Sequence, residues 1–214
     1  MRISASEKRI LDFKMKIDFL ESDSIQEIKN CAAQNAVPIV RDEGLEFILD
    51  FIEKSGAKRI LEIGTGIGYS AIMFAKCAAD ISVFTIESDA ERYEQAKKNI
   101  ANENLSQRVT CFFGDAMEFD FAEKFDLIFI DGPKAQYIKF FEKFKNNLAQ
   151  GGAILSDNLF FHGMVQDLSL THNYSTKKLV KKIRKYIEFL KANEEFETQF
   201  FEQGDGISVS VWKK

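Results

Sequence analysis

A chain of 214 residues with 45% hydrophobic and 29% charged content fits one domain with a full core, not a disordered or fibrous protein. The net charge of -4 argues against a surface that grips nucleic acid all over, though it leaves room for a local basic patch. No apolar run approaches the roughly 20 residues that span a bilayer, and the start (MRISASEKRI) lacks a signal-peptide core. Cys31, Cys77 and Cys111 are scattered and odd in number, so buried reduced thiols in a cytoplasmic protein are expected.

The first quarter reads as a helical cap, residues 1–56. Ile10, Phe13, Ile17 and Leu20 recur at helical spacing. A second helix is predicted from Ser24 to Ala36, broken by Pro38, and a third from Asp42 to about Ser55, with Leu45, Ile48, Leu49 and Ile52 on one face.

Residues 57–214 read as an α/β core. Strands are predicted at Arg59–Ile63, Ile81–Ile86, Val109–Phe113, Leu127–Ile130 and Ala153–Leu155. Helices alternate with them: from Gly68 to Ala78, from Ala90 to Ala101, and from Gln136 to Leu148, the last capped by Gly151-Gly152. Such alternation implies a mostly parallel, Rossmann-like sheet with helices on both faces. The end departs from it. Phe196–Phe201 and Ile207–Trp212 are joined by Gln203-Gly204-Asp205-Gly206, which reads as a hairpin turn and makes the last pair antiparallel in a seven-stranded sheet.

Ligands of such sheets bind outside the carboxyl ends of the strands, and two groups of polar residues fall there. Gly64-Thr65-Gly66-Ile67-Gly68 follows a strand and opens a helix, so backbone N–H groups can meet a ligand closely. Tyr69 replaces the last glycine of a dinucleotide fingerprint, which counts against a nicotinamide-linked oxidoreductase. Glu87 ends the second strand, where an acidic side chain accepts ribose hydroxyls. Asp115 follows the third strand and is a candidate acceptor for an adenine amino group, with Ala116 beside it; alone it could equally be a turn residue.

The second group is Asp131 with Lys134 after one apolar run, and Asp157-Asn158 after the next. Two carboxylates and an amide oxygen suit a hard cation such as Mg²⁺, and the amine could serve as a base. Taken singly, Asp131 could cap the helix that follows, Asn158 could be a turn residue, and Lys134 a surface lysine.

The ordered set LEIGTGIGYSA (61–71), Glu87, GDA (114–116), DGPKAQY (131–137), GGAILSDN (151–158) and GDGISVS (204–210) resembles the metal-dependent O-methyltransferases that use S-adenosylmethionine, the catechol and caffeoyl-coenzyme A type. Segment VPIVRDEG (37–44) looks like that family's lid over the cofactor. The resemblance implies that Asp131, Asp157 and Asn158 hold Mg²⁺ and that Lys134 is the catalytic base. It places Glu62, Gly64, Ser70, Glu87, Asp115, Ala116 and Asp131 around S-adenosylmethionine, with Ile39 closing over it, and it implies a homodimer. The run VPIVRDEGLEFI (37–48) and the C-terminal stretch resemble most the bacterial branch that methylates 5-hydroxyuridine at the tRNA wobble position. Gly132-Pro133 and Leu159-Phe160 depart from the usual family residues, so the acceptor pocket is less secure than the chemistry.

A catechol offers adjacent hydroxyls, and 5-hydroxyuridine offers its hydroxyl beside the 4-carbonyl oxygen, so a metal site cannot choose between a small acceptor and tRNA. The stretch Thr176–Lys191 can bear on the choice. It holds seven Lys or Arg against one Glu, among them Lys177, Lys178, Lys181, Lys182, Arg184 and Lys185. Such a run is a phosphate contact or a solvated face of an amphipathic helix. A non-catalytic RNA-binding module is the remaining reading, opposed by the complete Asp131, Lys134, Asp157 and Asn158 set.

Overall fold

The computed structural model describes residues 22–213. The helix expected around Ile10 to Leu20 lies outside the described residues. The chain continues as α1 (Asp23–Gln34), α2 (Asp42–Ser55), β1 (Arg59–Ile63), α3 (Tyr69–Cys77), β2 (Ser82–Glu87), α4 (Ala90–Asn102), β3 (Val109–Phe113), β4 (Phe125–Ile130), α5 (Tyr137–Phe144), β5 (Leu148–Ser156), α6 (Tyr174–Ala192), β6 (Phe196–Phe201) and β7 (Ile207–Trp212). The strands form one sheet in the order β3-β2-β1-β4-β5-β7-β6. Pairing is parallel from β3 through β5, and antiparallel between β5 and β7 and between β7 and β6. This is the expected mostly parallel, Rossmann-like seven-stranded sheet with a C-terminal antiparallel pair.

Alternation along each central strand feeds two apolar layers. In β4, Leu127 and Phe129 join the layer with α1, α2 and α3, while Ile128 and Ile130 join the layer with α5 and α6; Phe125, across an irregularity in the pairing, also joins the second layer. Leu45, Ile48, Leu49 and Ile52 of α2 are all buried, as their spacing predicts, and each contributes about 1.5–3 kcal/mol. Gly56, at φ 69°, ends α2 in the left-handed conformation. Phe140, Phe141 and Phe144 of α5 are core residues.

Two boundaries differ from the sequence reading. The helix predicted to reach Leu148 ends at Phe144 and continues as a short 3₁₀ turn, Lys145–Asn147. Gly151 and Gly152 do not cap it; they lie inside β5, where the pairing register with β4 shifts between Phe125 and Leu127. A Cβ on Gly152 would sit 2.7 Å from the Asp126 carbonyl oxygen, so the glycine admits a close backbone approach at a bulge. The three cysteines are free, but each is only partly buried. Among the described residues no helix is long and apolar enough to cross a membrane.

Candidate active site

Strand β1 has β2 on one side and β4 on the other, so chain connections leave it in opposite directions and a crevice opens at its carboxyl end. Backbone bonds hold the rim: Gly114 N–H donates to the Glu87 carbonyl (2.9 Å), Gly64 N–H to Ile86 (3.0 Å), Asp131 N–H to Ile63 (2.9 Å) and Asp157 N–H to Ile130 (3.3 Å). The ends of β2, β1, β4 and β5 thus form a continuous ledge. Gly64 has φ 99°, and a Cβ there would stand 2.6 Å from the Asp131 carbonyl oxygen. Only glycine lets the β1 loop lie this close to the β4 loop.

A cavity of about 630 Å³ opens over this ledge, within the range of small-molecule sites. Its wall includes Ile39, Gly64, Ser70, Glu87, Asp115, Ala116, Asp131, Lys134 and Asn158. The structure therefore brings nine of the sequence-predicted site residues to one cavity. Its wall also takes in Pro38 of the expected lid, Pro133 and Leu179, together with Ser88, Asp89 and Arg92, which sequence reading did not single out.

In the cofactor half, Glu87 accepts the Gly66 N–H (2.7 Å) and the Asp89 N–H (2.9 Å), which fixes both the carboxylate and the glycine turn. Asp115 accepts the Met117 N–H (2.9 Å), so the side chain is held at the rim by its own short turn. Glu62, though expected around a cofactor, is wholly buried and does not line the cavity. It accepts hydrogen bonds from Ser70 Oγ and from Thr85 Oγ1 (2.6 Å), and Thr85 in turn meets Thr65 (2.6 Å). Burial pushes its pKa up to about 8, so it is a neutral acid at pH 7 that braces Ser70 from behind. Cys111 sits 3.9 Å from Thr65 Oγ1, and burial pushes its thiol up to about 12, which makes it a poor nucleophile.

In the other half, Lys134 Nζ lies 3.5 Å from Asp131 Oδ1. Asp157 is 2% exposed and adjoins Asn158, whose N–H it accepts at 2.7 Å. Asn158 has φ 62°, a conformation asparagine tolerates better than most residues. Tyr137, missed in the sequence reading, is buried, and its hydroxyl donates to the Asp157 carbonyl (3.1 Å). Burial and the Asp131 charge push Asp157 up to about 7. Burial likewise raises Asp131 against the opposing pull of Lys134.

The Asp131 charge acts on Asp157, and Lys134 is the cation beside Asp131. Asp131 and Asn158 line the cavity and the buried Asp157 does not; the two carboxylates and the Asn158 amide oxygen are a hard oxygen donor set of the kind that could hold Mg²⁺, which needs only one or two carboxylates and keeps several waters. Among the described residues no group of three His, Cys, Asp or Glu side chains forms a denser metal site.

Helix α6 flanks this half, with Leu179 in the cavity wall. Lys178, Lys181, Lys182 and Lys185 are exposed on it at helical spacing, and among the described residues the last three have no acidic partner. Lys178 lies over the ring of exposed Tyr174, 4.5 Å from its centroid. Arg184 does not belong to this strip: its guanidinium donates twice to the Val165 carbonyl (2.9 and 2.7 Å) and pins the preceding loop.

The model of the O-methyltransferase family matches residues 15–213. A catechol O-methyltransferase of Niastella koreensis is 27% identical over 90% of this chain and 91% of its own. Caffeoyl-CoA O-methyltransferase 1 of Zea mays is 25% identical over 88% of this chain and 78% of its own. Among solved structures, a candidate caffeoyl-CoA O-methyltransferase from Staphylococcus aureus superposes with a TM-score of 0.86 at 35% identity, covering 95% of this chain and 100% of that one. An O-methyltransferase from Bacillus cereus in complex with SAH superposes at 0.76 with 27% identity, over 90% and 92%.

Proposed function

Because the chain belongs to the O-methyltransferase family of S-adenosylmethionine-dependent enzymes, we propose that it transfers a methyl group to the 5-hydroxyl of wobble 5-hydroxyuridine in tRNA, with Mg²⁺ as cofactor. The observation that carries the chemistry is the single cavity in which a glycine turn with Glu87 faces Asp131, Lys134 and Asn158.

Bound here, S-adenosylmethionine would supply an electrophilic methyl group, and Mg²⁺ would make an acceptor hydroxyl more acidic. Glu87, held in place by the Gly66 and Asp89 N–H groups, would orient the donor's ribose side. Asp131, Asp157 and Asn158 would hold the cation. Lys134 Nζ takes the proton that leaves the acceptor oxygen. Its contact with Asp131 keeps it at the junction of the two halves, where that proton is released.

The acceptor is argued from α6. Four exposed lysines on the helix that walls the acceptor half form a strip suited to phosphates, and Tyr174 adds an exposed ring on which a base can stack. The relatives named for catechol and caffeoyl-CoA favour a second reading, a small vicinal-oxygen acceptor. Incubation of the protein with S-adenosylmethionine, Mg²⁺ and tRNA bearing 5-hydroxyuridine, followed by nucleoside mass analysis, decides between them. Formation of 5-methoxyuridine that vanishes with chelator and with Lys134→Met supports the tRNA reading. Turnover of a catechol with untouched tRNA gives the second.

A further inference from the structure

Behind the cavity, three segments meet at a cluster the methyl-transfer chemistry does not use. Arg41 follows the stretch Pro38–Val40, which forms one wall of the cavity, and is the residue from which α2 starts. Its guanidinium reaches across to His162 Nδ1 (2.5 Å) and to the Gly204 carbonyl (3.5 Å). His162 lies four residues after Asn158, in a loop where Asn158, Phe161 and His162 all have positive φ (62°, 45° and 57°). Such a loop keeps its shape only if its surroundings impose it.

Asp205 supplies much of that restraint. It is 4% exposed and lies in the β6–β7 turn. Its Oδ1 accepts the His162 N–H (2.7 Å), and its carbonyl accepts the Phe160 N–H (2.7 Å). Its Oδ2 is buried with no hydrogen-bond partner among the described residues and lies 3.8 Å from His162 Nδ1. Gly206 accepts the Leu159 N–H (2.9 Å). On the other side, a Cβ on Gly204 would come within 3.0 Å of Gly44 Cα, so the turn and the first turn of α2 are in backbone contact.

We propose that Arg41, His162 and Asp205 form a latch that joins the cofactor-side wall (Pro38–Val40) to the loop carrying Asp157 and Asn158, so that donor and cation favour each other's binding. The proposal rests on the S-adenosylmethionine and Mg²⁺ reading above. Its physical basis is that Pro38–Val40 and Asn158 line one cavity while their segments are fastened to each other by residues outside its wall. A ligand that settles one segment therefore lowers the cost of ordering the other. Coupling is reciprocal, and couplings of this type run from about 5-fold upward. Arg41, His162 and Asp205 are positioning residues: none lines the cavity.

The test measures S-adenosylhomocysteine affinity of the full chain by calorimetry, in chelator and in saturating Mg²⁺. The wild type is expected to bind about fivefold or more tightly with Mg²⁺. Arg41→Met keeps the aliphatic stem and removes the donor, and should bring the ratio close to one while affinity in chelator changes little. His162→Asn keeps an acceptor near the Nδ1 position and tolerates positive φ, so it should preserve the coupling; His162→Ala should not. A purely structural role would weaken binding equally in both conditions. Coupling that persists in Arg41→Met, or a wild type indifferent to Mg²⁺ although it binds S-adenosylhomocysteine, overturns the latch. A wild type that binds no S-adenosylhomocysteine overturns the methyl-transfer reading, and the latch with it.

Discussion

Asp131 and Asp157 each follow a parallel strand at matching positions: their predecessors, Ile130 and Ser156, are register partners across β4 and β5. The sheet itself thus sets the spacing of the two carboxylates, and no flexible loop is needed to bring them together. Each is desolvated, and the Asp131 charge raises Asp157. Without a cation, Asp157→Asn should be neutral or stabilising at pH 8, because it removes a buried repulsion. It should also abolish the thermal stabilisation given by Mg²⁺. Equal Mg²⁺-induced shifts in variant and wild type, read by calorimetric melting, would remove Asp157 from the metal site.

Glu62 predicts a pH dependence of stability. Its pKa rises from 4.5 in the unfolded chain to about 8 in the folded one. A folded state that holds a proton more tightly gains stability that is complete below pH 4.5 and is lost as pH rises through 8. Asp157 acts in the same direction, from 3.8 to about 7. Melting temperature in chelator should therefore fall between about pH 5 and pH 8.5. Glu62→Gln should flatten part of that slope and, because Glu62 does not line the cavity, change S-adenosylhomocysteine affinity by less than about threefold. A steep loss of affinity would show that Glu62 reaches the ligand.

Glu87 should behave in the opposite way. Its carboxylate lines the cavity and orders Gly66, so Glu87→Gln loses a charge-assisted acceptor, about 2 kcal/mol or roughly thirtyfold in cofactor affinity. The loss should appear in KM for S-adenosylmethionine more than in kcat. Lys134→Met should give the converse pattern, a drop in kcat of about 10²–10⁴ with donor affinity retained. If both variants moved the same parameter, the division of the cavity into donor and proton-transfer halves would fail.

The strands were legible because β-rich apolar runs bounded by turn residues leave few alternatives: β1, β3, β6 and β7 lie where the pattern puts them. The Gly151-Gly152 pair was not, since a helix cap and a bulge use glycine for different reasons, and only the nearness of Asp126 tells them apart. Cavity-lining residues at strand ends were legible from position alone. Asp205 was not: a turn aspartate is ordinarily exposed, and burial of its carboxylate depends on the loop after β5 folding over it. Arg184 shows the limit of charge runs, since a lysine-rich helix does not reveal which of its cations serves a neighbouring carbonyl.

The lysine strip yields the prediction that separates the two acceptors. Lys181, Lys182 and Lys185 are exposed, lie within about one turn of α6, and do not line the cavity. On a tRNA acceptor, the triple alanine variant should raise KM for tRNA by tenfold or more. It should also flatten the dependence of log affinity on log salt, by about 0.7–0.9 per phosphate contact removed. Affinity for S-adenosylhomocysteine should not change, and neither should turnover of a catechol supplied as a substitute acceptor. The salt slope is the decisive reading, because a misfolded variant loses affinity without changing slope, whereas a lost set of phosphate contacts changes both. A variant that methylates tRNA with wild-type KM and slope would return α6 to a solvated amphipathic face, leaving Leu179, Ile183, Tyr186 and Leu190 to explain why the helix is there.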